Sequence, residues 1–204
     1  MSRKGKYQIQ HEERRGQILA ESRRLFLERG LSCVKMVDIA DACAISRQTL
    51  YKYFSSIDAV IFSLQSQLIR QFSLCGEHDL KSALERLFRY YQEDPEDFYF
   101  ISMFDIYIHT HQVDKALLCQ YRETIRQCIP EPQFPPDASS PSRAFIVTAV
   151  HAAWGLITRM MILGEDYTHE YSITEEESYY LLCRALCGEQ AGTFNLKQTV
   201  SEKL

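Results

Sequence analysis

The sequence predicts an all-α fold in which a small N-terminal head of three helices is set on a larger helical body. Three observations predict it. Apolar residues recur at spacings of three and four along nearly the whole chain, while the period-two alternation of strands is almost absent. Glycine, serine and proline punctuate these stretches where helix ends are wanted. The charge also changes sign between the two parts: residues 1–55 carry 11 Lys and Arg against 6 Asp and Glu, whereas residues 56–204 carry 12 against 21. A basic head on an acidic body suits a protein of which one end meets phosphate. With 46% hydrophobic and 25% charged side chains in 204 residues, the chain can bury a core and is too apolar to be disordered.

The first helix is expected over 12–29, where Ile18, Leu19, Ser22, Leu25 and Phe26 share a face and Gly30 stands at the C-terminal cap. A short helix over 36–43 turns Met36, Ile39, Ala40 and Cys43 inward, and a third, opening at Ser46, buries Leu50 and Phe54. These three helices make a head of residues 1–55. A long amphipathic helix from 55 to about 74, closed by Gly76, leads into a body of residues 56–190. Helices over 79–92, 95–110 and 114–128 follow, with Pro95 acceptable in a first turn. The segment 129–141 holds five of the six prolines and reads as a loop. Helices over 142–163 and 175–187 close the body; Thr174 and Glu177 form a capping box at the start of the last, and Gly188 ends it. Residues 191–204 read as a polar tail.

Several classes are disfavoured. The seven cysteines (33, 43, 75, 119, 128, 183 and 187) are odd in number and contain no C-x-x-C pair, so neither a disulfide framework nor a zinc knuckle is indicated. A reducing cytoplasm is the expected compartment. The N-terminus lacks the apolar stretch of a signal peptide, and the longest apolar run, 144–158, is shorter than the ~20 residues that cross a bilayer. His109 and His111 point to different faces of a helix, and Cys183 with Cys187 have no partner ligands, so no metal site is expected. With no glycine-rich phosphate loop and no nucleophile elbow, neither catalysis nor a cofactor is expected.

The stretch MVDIADACAISRQTLYKYF, residues 36–54, has the form of a helix-turn-helix. Ile39, Ala40, Ile45, Leu50 and Phe54 are placed to lock two short helices together across a turn at Ala44 and Ile45. The opposite side of the second helix stays polar: Arg47, Gln48, Thr49, Tyr51, Lys52 and Tyr53 can all hydrogen-bond, as a helix lying in a DNA groove requires. Gln48 suits adenine and Arg47 guanine. The plainer alternative is a surface helix that happens to carry two tyrosines.

Residues 14–60 resemble the tetracycline-repressor (TetR) family of transcription regulators. The resemblance runs through RRGQILAESRRLFLERG, DIADACAIS, SRQTLYKYF and SSIDAV, and it keeps the spacing of Ile18, Leu19, Phe26, Gly30, Ile39, Ala40, Ser46, Leu50, Tyr51 and Phe54 without a gap. It implies a DNA-binding regulator, by default a repressor, with Tyr51, Lys52 and Tyr53 against phosphates or thymine methyl groups. Three positions depart from the pattern. Ala44 replaces a turn glycine, which requires either a left-handed alanine or another turn geometry. Lys35 replaces a threonine that caps the second helix, so a cap is lost but a cation is placed near DNA. Ile57 replaces a lysine, removing one backbone contact. The expected DNA-binding set is therefore Lys35, Arg47, Gln48, Thr49, Tyr51, Lys52 and Tyr53, with Arg3, Lys4 and Lys6 as a free N-terminal arm able to add to it.

A single head offers little contact area, so a homodimer reading two half-sites of a palindromic operator is expected. The seam is placed on the last two helices, where Ala144, Ala149, Ala152, Ala153 and Gly155 allow close approach beside Tyr179, Leu182, Cys183 and Leu186. A monomer core would leave the same pattern. The central helices hold Tyr99, Phe100, Met103, Phe104, Tyr107, His109, His111, Tyr121, His151 and Trp154. From these the resemblance implies a pocket for a small organic effector, with Phe100, Met103, Tyr107, His111, Tyr121, His151 and Trp154 as its candidate wall. Two other readings stay open: control by a protein partner, or a helical ligand-binding or catalytic protein with a vestigial head.

Overall fold

Residues 3–72, 80–128 and 143–187 are described in the computed structural model of the chain. Among them the helices are α1 (Arg3–Arg29), α2 (Met36–Ala42), α3 (Arg47–Tyr51), α4 (Ile57–Phe72), α5 (Leu80–Glu93), α6 (Pro95–Thr110), α7 (Lys115–Cys128), α8 (Arg143–Leu163), α9 (Asp166–Tyr171) and α10 (Glu175–Cys187), and no strand occurs. The helices form two units, Met1–Ser73 with Phe100–Cys128 and Leu74–Tyr99 with Ile129–Leu204, so that α6 gives its first turn to the second unit and the rest to the first.

In the first unit α1 buries Ile18, Leu19, Ser22, Leu25 and Phe26, the stripe its periodicity announces. Gly30 then adopts a left-handed conformation (φ +82°) and returns its N–H to the Phe26 carbonyl at 2.8 Å, which ends the helix. Helix α4 packs against both α1 and α7, which explains why Val60, Ile61, Phe62, Leu64, Leu68, Ile69 and Phe72 are all buried. Phe26 meets Phe100 and Phe62 meets Phe104 edge to face, at 6.2 and 5.0 Å between centroids, which ties α6 to α1 and α4.

In the second unit α5, α8 and α10 pack on one another. Their shared core holds Leu84, Leu87, Phe88, Ala149, Ala153, Ile157, Met160, Tyr179 and Cys183. The Tyr179 ring stacks on Phe88 at 4.3 Å, and its hydroxyl donates to the Leu84 carbonyl at 2.6 Å. Tyr179 and Cys183, grouped from sequence with the dimer seam, therefore face the chain's own core, as do Ala149 and Ala153. Of the residues placed at the seam, α8 leaves Ala152 and Gly155 exposed and α10 leaves Leu182 and Leu186 half-buried; Phe145, Ile162 and Leu181, which the sequence reading did not include, are exposed as well. Ala144 lies outside the residues whose side chains are described.

Three boundaries differ from the sequence reading. Helix α1 begins at Arg3 rather than near Glu12; residues 8–13 are exposed on every side and so display no apolar period to read. Helix α3 stops at Tyr51, and Phe54 reaches the core through one further turn in which the N–H groups of Tyr53 and Phe54 both return to the Leu50 carbonyl. Helix α9 was not expected, because six residues are too few to show a period; left-handed Gly164 and Ser172 flank it, and Tyr167 pins it by donating to Ser178 Oγ at 2.9 Å. The proline-rich segment 129–141, Gly76, Gly188 and the tail 191–204 lie outside the described residues.

Candidate nucleic-acid interface

The helix-turn-helix is built from caps. Helix α2 opens at Lys35, whose side chain has no acceptor and so makes no cap, as expected; Asp38 Oδ2 instead accepts the Lys35 backbone N–H at 2.7 Å. At its C-terminus Ala44 stands at φ 51°, so of the two geometries open to the turn the chain takes the left-handed one. The Ala44 N–H returns to Asp41 O at 3.1 Å and the Ile45 N–H to Ala40 O at 3.0 Å, the double closure of a Schellman motif. Ser46 then opens α3 in extended conformation, its Oγ accepting the Thr49 N–H at 3.0 Å. Ile39, Ala40, Leu50 and Phe54 are buried between the helices, while Ile45 is half-buried.

The other side of α3 faces outward. Arg47, Gln48, Tyr51 and Lys52 are exposed, as is Lys35 at the start of α2. Thr49 and Tyr53 are half-buried; Thr49 Oγ1 shares a hydrogen bond with Ser46 Oγ at 2.9 Å, and the Tyr53 ring stacks on His11 of α1 at 4.6 Å. Lys35, Arg47 and Lys52 have no acidic partner among the described residues, so their charge is open to an anion.

The charge balance of the head overstates what is available. Arg24 bridges Glu21 and Glu28, and Arg29 lies 3.9 Å from Asp38. Arg14 donates to the Cys43 carbonyl at 3.3 Å. Arg15 donates to Ser63 Oγ on α4 at 3.0 Å while its guanidinium lies 5.0 Å from the centre of the Phe54 ring. Arg15 and His11 thus position the end of the helix-turn-helix, a role the sequence hid because their partners are far away along the chain. Ile57, in place of the usual lysine, is half-buried in the first turn of α4. The backbone of Arg3, Lys4 and Lys6 is helical rather than a free arm, and their side chains are outside those described.

The seven residues proposed for an effector are distributed as follows. In the first unit Phe100, Tyr107 and Tyr121 are buried, Met103 is half-buried and His111 is exposed. Tyr107 donates to Asp58 Oδ1 on α4 at 2.6 Å; burial, with the Asp58 carboxylate beside it, raises its phenol above the ordinary range. His111 stacks on Tyr107 at 4.3 Å and sets its Nε2 3.2 Å from Ser32 Oγ, in the turn between α1 and α2. In the second unit His151 is exposed, and half-buried Trp154 stacks on Phe98 at 4.1 Å. Among the described residues no group of three or more His, Cys, Asp or Glu is placed to hold a metal, and no helix is long and apolar enough to cross a membrane.

By sequence, residues 18–64 match the bacterial regulatory proteins of the tetR family. No curated protein matches the chain. By fold, the chain is similar to a fatty acid degradation regulator, FadR, from Bacillus halodurans, with 13% identity, a TM-score of 0.59, and coverage of 88% of this chain and 97% of that one. A tetR-family regulator from Streptomyces coelicolor aligns with 20% identity, a TM-score of 0.57, and coverage of 86% and 79%. A TetR-family protein from Vibrio parahaemolyticus aligns with 17% identity, a TM-score of 0.57, and coverage of 85% and 96%. At these identities the structural likenesses establish the all-helical fold, with the helix-turn-helix on a larger helical part. Residues 18–64 therefore form a helix-turn-helix segment of the type found in the bacterial regulatory proteins of the tetR family.

Proposed function

We propose that the chain is a homodimeric repressor that reads a palindromic operator with Lys35, Arg47, Gln48, Thr49, Tyr51, Lys52 and Tyr53 and is released by a small organic effector. The observation that carries the DNA contact is the division of α3: Leu50 is fully buried while Arg47, Gln48, Tyr51 and Lys52 on the same short helix are exposed. Arg47 and Gln48, next to the helix N-terminus, are suited to base edges, and Lys35, Tyr51, Lys52 and Tyr53 to the phosphates on either side.

Two chains are needed because one α3 covers too little of the groove for operator-grade specificity. The exposed apolar residues Phe145, Ile162 and Leu181 on α8 and α10, with Ala152 and Gly155 between, supply a face for that pairing. For the effector, the contacts in the first unit are Phe100, Met103, Tyr107 and Tyr121, of which Tyr107 and Tyr121 touch α4 through Asp58 and Gln65. A ligand held there acts by favouring a tilt of α4 through the Tyr107–Asp58 bond; only a ligand that prefers one tilt over the other shifts the balance.

Salt-titrated binding to duplex DNA tests this reading. Several phosphate contacts per dimer give a steep fall of affinity with salt, and Lys52→Ala, removing two contacts per dimer, lowers that slope by about 2. Tyr51→Ala weakens binding about tenfold with helix content unchanged. A flat salt response in the wild-type chain rules the reading out, and unchanged binding removes the substituted residue from the site.

A further inference from the structure

Inside the first unit, α4 and α7 share a polar pair in apolar surroundings. Gln65 is fully buried (0% exposed), and its Nε2 donates to the Tyr121 hydroxyl at 3.1 Å. Its Oε1 is buried with no hydrogen-bond partner among the described residues. Around the pair stand Phe62 and Phe104, whose rings meet Tyr121 edge-on at 6.0 and 4.8 Å. A carbonyl oxygen left unmet in such a place is strongly unfavourable, and leucine would fill the same volume without that cost. The Tyr121 phenol, pushed up to about 12 mainly by burial, keeps its proton at neutral pH. The pair therefore offers one acceptor and one donor side by side.

We propose that Gln65 and Tyr121 recognise the polar end of the effector, and that the effector is a neutral, largely aromatic molecule ending in a hydroxyl or carboxamide. This rests on the reading that the body binds a small molecule, and it names that molecule's chemistry. A hydroxyl or carboxamide both donates and accepts, so it satisfies the pair whichever way the Gln65 amide is turned. A carboxylate only accepts, leaving Oε1 facing a lone pair, and it brings negative charge towards Asp105, whose field already reaches Tyr121. A bare hydrocarbon has no group to donate and leaves Oε1 unmet.

Equilibrium dialysis of the full chain at pH 7 with 2-naphthol, naphthalene and 2-naphthoate tests the proposal. The wild type should bind 2-naphthol about tenfold tighter than either of the others, the discrimination one hydrogen-bonded pair supplies. Gln65→Leu should erase the advantage over naphthalene without weakening naphthalene itself; Tyr121→Phe, which keeps the ring, should reduce it and serves if Gln65→Leu fails to fold. Equal binding of the three probes, tighter binding of the carboxylate, a preference that survives both substitutions, or no binding at all would each overturn the proposal, the pair then being a contact filled by water. The effector reading is judged separately, by the affinity for a 30-base-pair duplex with and without saturating 2-naphthol. If Gln65 governs probe binding but DNA affinity does not move, recognition stands and control by this ligand falls.

Discussion

At the scale of single residues, Ala44 is the most informative position. A left-handed alanine is disfavoured by about 1–2 kcal/mol relative to glycine, and the Schellman closure of α2 depends on it. Ala44→Gly should therefore raise stability by about 1 kcal/mol, less the extra freedom glycine has when unfolded, seen as a rise of about 2–4 °C in Tm. An unchanged or lower Tm would mean that the alanine is not strained. The sequence showed this position to be exceptional but left its geometry open, since nothing local chooses between two turns. Cysteine chemistry separates along equally simple lines. Cys183 is fully buried and its thiol is pushed up to about 12, first by burial and then by Cys187, whereas Cys33 and Cys119 are exposed. A maleimide should label Cys33 and Cys119 in the native protein and reach Cys183 only on unfolding, which mass mapping of the adducts would check.

At the scale of elements, the helix ends at Gly30, Ser46 and Thr174 were legible because a glycine or a side chain makes the cap. Thr174 and Glu177 form the expected box, with the Thr174 N–H donating to Glu177 Oε2 at 3.0 Å and the Glu177 N–H to Thr174 Oγ1 at 3.2 Å. The Thr174 N–H and the Thr174 hydroxyl, both donating to Glu177 Oε2, hold the Glu177 carboxyl below its ordinary value of 4.5. A depressed folded value contributes stability that is fully present above the unfolded value and is lost as pH falls through the folded one. Glu175 runs the other way: burial raises its carboxyl in spite of the hydrogen bond from Tyr91, so its charge disfavours the fold near neutrality and protonation relieves it. Acid titration of Tm should thus show a smaller loss below pH 4.5 in Glu177→Gln than in the wild type, and a higher Tm at pH 7 in Glu175→Gln; a wild-type acid limb in Glu177→Gln would contradict the box. Elements whose cues are not local escaped the sequence. The start of α1 has no buried face to set a period, α9 is too short for one, and the supports from His11 and Arg15 reach residues far along the chain.

At the scale of the whole molecule, the fold class and the helix-turn-helix were readable because α1 to α3 combine an apolar stripe, two caps and a turn residue in one short stretch. The outward side of α8 was legible only at Ala152 and Gly155, because α8 is apolar nearly all round and sequence cannot say which side its own chain covers. The structure divides it: Ala149, Ala153, Ile157 and Met160 face the chain's own core, while Ile162, 65% exposed, and Leu181, 52% exposed, remain outside. On the proposed dimer, Ile162→Glu with Leu181→Glu buries like charges at the seam, so light scattering should give a single chain with native helix content. Unchanged dimer mass in that variant would move the seam elsewhere. The most direct test of the account is the mass of the complex that the wild-type chain forms with a duplex carrying its operator, measured by sedimentation equilibrium at low and at high salt. Two chains per duplex at low salt, dissociating as salt rises, is the predicted result; one chain per duplex, or no complex at any salt, would contradict it.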